Sequence, residues 1–222
     1  MEPLYKKIGI NSFVLKIIAV VSMTIDHVGA VIFPTYMWLR VIGRIAFPIY
    51  AFLIVEGYYH TGNIKKYLAR LGIFAIISEP FFDYALFNNA FYIKSQNVFL
   101  TLFLGLLMIC ICEKEKYNKY SWLIMIGFGV LASLLCSDYG IFGTMMIYTF
   151  YVFRGQFLSQ FIIMAVINGL FMNKWQTYAV LAMIPIGLYN GLPGKHRMKY
   201  FFYIYYPLHL AIIGIIGRII LK

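Results

Sequence analysis

In the run VVSMTIDHVGAVIF, residues 20–33, an aspartate and a histidine stand side by side inside an otherwise apolar stretch. A histidine in such a place is a candidate general base. Its imidazole accepts a proton near neutral pH, and a partner bonded to one ring nitrogen decides which nitrogen is free to do so. Arg40 and Arg44 follow in the next apolar segment, Glu79 and Asp83 in the one after. Both pairs are spaced i, i+4, so each lies on one helix face. A base, two guanidinium groups and carboxylates in a water-poor setting can take a proton from a nucleophile. They can also stabilise the oxyanion that the nucleophile's attack creates.

The elements that must position these groups are membrane helices. The 222 residues are 62% hydrophobic and 12% charged, against about 45–50% apolar and about 25% charged in soluble domains. Apolar runs recur along the whole length, which predicts an all-α, polytopic helix bundle of roughly 8–10 transmembrane helices forming a single domain over 1–222. Nine segments are expected: 13–33, 37–59, 67–87, 97–112, 121–137, 139–153, 157–171, 176–190 and 201–220. Lys6, Lys7 and Lys16 lie before or at the start of the first segment, and Lys65, Lys66, Arg70, Lys114, Lys116, Lys119, Arg154, Lys195, Arg197 and Lys199 fall in or beside alternate loops. The opposite loops hold Lys94 and Lys174, so the N-terminus is expected in the cytoplasm. Pro48, Pro80, Pro185 and Pro207 lie inside spans and predict kinks.

Charged groups at membrane depth cost roughly 2.5–3.5 kcal/mol each on insertion scales, so they face a partner or a cavity. With about 1.5 Å of rise per residue, His27 lies about 9 Å below the outer end of its span, Arg40 about 5 Å and Arg44 about 11 Å. Asp83 lies at about 6 Å and Glu79 at about 12 Å. Depth therefore predicts two ladders, Arg40 with Asp83 and Arg44 with Glu79. Asn97 and Thr101 open the fourth segment, Asp138 lies in the outer turn, and His209 is expected nearer the midplane. Asp26 points about 100° away from His27, so Glu79, Asp83 or Asp138 is expected to orient the imidazole. Glu56 reads as an interfacial residue near Lys65 and Lys66, and His60 and His196 read as surface residues.

Other chemistries find little support. The net charge of +11 sits in loops that face anionic lipid, which argues against nucleic acid as a partner. Cys110, Cys112 and Cys136 lack metal or redox spacing, and the histidines lie on separate elements, so no metal is expected. No H-E-x-x-H, G-x-S-x-G or phosphate-cradling loop occurs.

The runs LKIIAVVSMTIDHVGAVIF, LRVIGRIAFPIYAFLIVEGYYHTGNIKKYLARLGIFAIISEPFFD, NVFLTLFLGL, SDYGIFG and KYFFYIYYPLHL resemble those of the TraX family, over nearly the whole chain. That family is associated with N-terminal acetylation of pilin. It looks related to transmembrane acyltransferases of the acyltransferase-3 and heparan-α-glucosaminide N-acetyltransferase types, which use a membrane-embedded histidine and arginines. The resemblance implies a multi-pass protein of the bacterial cytoplasmic membrane. It further implies acetyl transfer from cytoplasmic acetyl-CoA to an amine or hydroxyl acceptor at the outer side, such as a pilin-like peptide N-terminus or an envelope glycan. His27 matches the catalytic histidine, and Arg40 and Arg44 the paired arginines. Glu79 and Asp83 are expected beside them on the depth argument, with Asp26, Asn97, Asp138 and His209 in support. Lys65, Lys66, Arg70, Arg197 and Lys199 are candidates for the CoA phosphates. Direct transfer and an acetyl-histidine intermediate fit equally, and a proton- or ion-coupled transporter using the same residues is the rival reading.

Overall fold

The computed structural model describes residues 9–89, 91–194 and 199–220. Among them there is no strand, only isolated bridges between Ile10 and Tyr189 and between Gln96 and Ser137. Every one of the nine expected segments is helical, so the protein is an all-α membrane bundle. Helix α1 spans Ser12–Val31, and the Asn11 side chain caps it by accepting from the backbone N–H groups of Phe13 and Val14. Leu15, Ala19, Met23 and His27 are all buried. They recur every four residues, so one stripe runs down the inner face of α1 and His27 is its last member.

The second segment is broken in two. Helix α2 covers Met37–Gly43 and α3 covers Ala46–His60. The cause is Pro48, which has no N–H to give the Arg44 carbonyl and whose ring collides with a continuous turn there. The break frees Arg44 to lie across the end of α2, where its Nε donates to the Arg40 carbonyl at 3.1 Å. Helix α3 is apolar on nearly every side. From Ala46 to Glu56 every residue except Tyr50 is buried, which makes α3 the central helix.

Helix α4 spans Ile64–Phe87 and ends on Asn88, which takes the left-handed conformation (φ 56°) suited to a helix stop. Helix α5 spans Val98–Cys112, α6 Ser121–Leu134 and α7 Gly140–Val152. Helix α8, Phe157–Val166, runs into a π turn at Ile167–Phe171; a 3₁₀ stretch, Gln176–Ala182, leads into the short α9, Met183–Gly187. Helix α10, Lys199–Ile220, carries Pro207 and packs along α4 and α1.

Among the described residues three stretches are long and apolar enough to cross a bilayer: Ser12–Val31, Met37–His60 and Tyr200–Ile220. The remaining apolar helices are shorter. Ile76, Leu134 and Leu170 are each at least 75% exposed, as expected of side chains that face lipid. Successive helices alternate in direction, so Asn11, Thr61, Arg154 and Tyr189 mark one end of the bundle. The turns at 32–36 and 135–139 mark the other. The first carries most of the lysines and is the basic end.

Candidate active site

Asp26 and His27 are neighbours in sequence that serve different partners. Both oxygens of Asp26 are taken by arginine: Arg44 Nη2 lies 2.6 Å from Oδ1 and Arg40 Nη1 lies 2.7 Å from Oδ2. Arg40 Nη1 also donates to the Asp26 carbonyl at 3.1 Å. Gly43 is needed for this close approach, because a Cβ there would overlap the Asp26 carboxylate. Arg44 reaches onward to Gln176 Oε1 at 3.4 Å, and Gln176 Nε2 donates to Asn168 Oδ1 at 3.3 Å. The second arginine is thus tied to the π turn and the 3₁₀ stretch.

The expected ladders do not form. Arg40 and Arg44 meet Asp26 rather than Asp83 and Glu79. The physical reason is chain connectivity. A turn of a few residues makes α1 and α2 antiparallel neighbours, and Asp26 lies at the same depth below that turn as the arginines. Glu79 instead accepts from Asn97, through the backbone N–H at 3.1 Å and through a shorter bond from Nδ2. Asn97 also donates to the Ala75 carbonyl at 2.7 Å and caps α5 by accepting from Phe99 N–H at 3.0 Å. Asp83 accepts from the Tyr92 backbone at 2.6 Å. Glu79, Asp83 and Asn97 therefore fasten α4 to the start of α5 and to the loop before it.

His27 is not oriented by any of the carboxylates. Its Nδ1 shares a 2.8 Å hydrogen bond with Nε2 of His209, on α10. His209 is thus at the level of His27, not below it. Counting residues from each helix end missed this because α1 and α10 do not start at a common plane. Tyr206 stands edge-on to His27, with ring centroids 6.2 Å apart.

His27 faces a small pocket of about 50 Å³, shared with Asp26, Asp138, Tyr139 and Tyr206. Asp138 comes from the turn between α6 and α7, which is pinned by the bond from Gln96 N–H to the Cys136 carbonyl at 2.8 Å. Asp138 is an exposed residue that lines the pocket, and its carboxylate makes no hydrogen bond among the described residues. Its surroundings push the carboxyl up to about 6; loss of bulk water raises it and Arg44 opposes the rise.

Toward the basic end lies a larger chamber of about 450 Å³. Met23, Tyr50, Val98 and Tyr206 line both the chamber and the small pocket, so the two meet at that ring of side chains. Lys16, His60 and Arg70 line the chamber near the basic end. Arg70 stacks on Tyr67 and Tyr203, at 5.5 and 6.0 Å, and its Nε has no hydrogen-bond partner. Among the described residues, Arg70 is the one expected phosphate-binding residue that lines this space. Lys65 and Lys66 are outside it, Arg197 lies outside the described residues, and so does the side chain of Lys199. His60 is exposed, as expected of a surface residue, and its ring bonds the Glu56 carbonyl at 2.8 Å. His196 lies outside the described residues. Glu56 is buried and paired with Arg154 at 2.7 Å, rather than held at the interface by Lys65 and Lys66. Among the described residues no cluster of three or more histidine, cysteine or carboxylate side chains could hold a metal.

Comparison with known proteins adds two findings. The family model described as TraX protein matches residues 12–217. The "Probable fimbrial assembly protein FimC, serogroup H1" of Dichelobacter nodosus is 28% identical over 236 residues, covering 94% of this chain and 96% of that protein. No solved structure matches.

Proposed function

The chain belongs to the TraX protein family, and from that premise we propose that it is a membrane-embedded acetyltransferase. It takes an acetyl group from acetyl-CoA, entering at the basic, cytoplasmic end, to an amine or hydroxyl acceptor reaching the pocket from the other side. The observation that carries this reading is the meeting of a large chamber, basic at the end away from His27 and apolar in its walls, with a small pocket that holds His27. A donor with anionic phosphates and a long flexible arm fits such a shape. Arg70 and Lys16, which line the chamber, are placed for the phosphates, and the apolar walls for the arm.

In the transfer, His27 takes the proton from the acceptor's N–H or O–H as that atom bonds to the thioester carbonyl carbon. The carbonyl π electrons move to oxygen, and the Asp26–Arg40–Arg44 group, which carries one net positive charge, stabilises that oxygen. When the carbonyl re-forms, the carbon–sulfur bond breaks. The thiolate leaves with the proton that His27 gives back. The relative named for fimbrial assembly favours a fimbrial subunit, or its exposed N-terminal amine, as the acceptor.

The transport reading is less well supported. Of the ionisable residues that reading would use, Glu79 and Asp83 are engaged in fastening α4, away from the chamber and the pocket. Release of free CoA from acetyl-CoA by purified protein, with peptide amines as acceptors, tests the proposal. Turnover is expected in the wild type and a loss of at least about 10²-fold in His27→Ala, with acetyl-CoA binding retained. A wild type that binds no acetyl-CoA would sink the reading.

A further inference from the structure

The bonds around His209 specify where the imidazole protons sit. His209 Nδ1 lies 2.9 Å from the Tyr205 carbonyl oxygen. A carbonyl oxygen only accepts, so this nitrogen carries a hydrogen. A neutral imidazole has one N–H, which leaves His209 Nε2 as a bare acceptor. Flipping the His209 ring would put carbon at both positions and lose both bonds. The 2.8 Å contact then requires His27 Nδ1–H to donate to His209 Nε2. His27 Nε2 keeps its lone pair and makes no hydrogen bond among the described residues, while His27 lines the small pocket.

We infer that His209 is a positioning residue that locks His27 in the Nδ1–H tautomer and so makes His27 Nε2 the proton-accepting atom at the pocket. The catalytic consequence rests on the acyl-transfer reading; the tautomer itself does not. His209 lines neither the pocket nor the chamber, so it acts only through His27. When Nε2 takes a proton, the new positive charge on His27 is shared along the bond to His209 Nε2 and on to the Tyr205 carbonyl. A carboxylate holds this position in the serine protease triad. Here the adjacent carboxylate, Asp26, is wholly occupied by two arginines, and a neutral ring takes the orienting role instead.

His209 is itself held in place. Its ring stacks on Tyr205 with centroids 5.1 Å apart and planes 11° from parallel. The Tyr205 hydroxyl bonds Thr24 Oγ1 at 2.8 Å, and Thr24 Oγ1 bonds the Val20 carbonyl at 2.8 Å. Thr24 must give its one hydrogen to that carbonyl, so Tyr205 donates to Thr24. This second bond ties α10 to α1 one turn from the histidine pair, which keeps the two rings in register.

Two variants and one spectrum test the assignment. His209→Leu removes the acceptor, whereas His209→Gln keeps an oxygen that can accept from His27 Nδ1–H. His209→Leu is expected to lower kcat by about 10²-fold or more, with KM for acetyl-CoA within about twofold. His209→Gln is expected to recover at least about tenfold of that loss, while thermal stability does not follow the same order. In wild-type protein labelled with ¹⁵N-histidine, His27 Nδ1 should be protonated and Nε2 not; in His209→Leu the proton should move to Nε2. A wild-type His27 protonated at Nε2 overturns the inference, as does full turnover in His209→Leu or a glutamine variant no better than leucine. If the wild type shows no acyl transfer, the functional reading fails and the spectrum still decides the tautomer.

Discussion

Among the described residues two enclosed carboxylates pair with arginines, one at each end of the bundle, and they do different things. At the basic end Glu56 pairs with Arg154 at 2.7 Å; Arg154 is 41% exposed and lies over the Tyr59 ring. The pair closes neutral and clasps α3 to the turn after α7. At the far end Asp26 holds two arginines, both more enclosed, on a helix broken by Pro48. There one carboxylate is shared by two guanidinium groups beside His27, with the Asp138 carboxyl near enough to feel both arginines. The same ion-pair chemistry gives a fastening where one arginine meets one carboxylate and a site where two arginines share one.

Arg44→Lys against Arg154→Lys probes that contrast most directly. Lysine keeps the charge but loses the planar fork that reaches Asp26, Gln176 and the Arg40 carbonyl together. CoA release is expected to fall by about 10²-fold in Arg44→Lys, the scale of one lost oxyanion donor, and to stay within about twofold in Arg154→Lys. Equal losses would show that both pairs are fastenings.

Stability should divide in the same direction. Asp26→Asn strands two enclosed cations and should cost about 3 kcal/mol or more, whereas Glu56→Gln strands one partly hydrated cation and should cost about 1 kcal/mol. Denaturation midpoints in detergent check this, and a reversed order would break the comparison.

Asp138 adds a pH dependence to the far end only. Its folded carboxyl titrates at about 6, above the ordinary value of 3.8. A raised value means that the folded state binds the proton more tightly, so this group's stabilising contribution is complete below 3.8 and lost as pH rises through about 6. Asp138→Asn should therefore raise stability at about pH 7.5 by about 1 kcal/mol at most, since the carboxylate is reached by water. The slope of stability between about pH 4 and about pH 6 should flatten correspondingly; an unchanged slope would remove Asp138 from the titration. The smallest effect is expected from Glu79→Gln, which keeps an oxygen for Asn97 and should leave turnover within about threefold. A loss as large as that of Arg44→Lys would restore Glu79 to the site.

Much of this architecture was legible in the residues. Composition and apolar run length determine a helical membrane bundle, because a backbone in lipid has to satisfy its own hydrogen bonds. The four-residue stripe of Leu15, Ala19, Met23 and His27 puts His27 inside, and Pro48 marks the break that turns Arg44 across its helix. Motif resemblance singled out His27, Arg40 and Arg44, and the pocket holds His27 with the Asp26 that binds both arginines. Which groups bond to which was decided only by tertiary structure. Depth along a helix is one coordinate, whereas contact also needs the azimuth, the tilt and the neighbour. Asp26 wins both arginines because a short turn makes α1 and α2 neighbours, and His209 reaches His27 because α10, last in the chain, packs against the first helix. No local spacing encodes a bond across 182 positions.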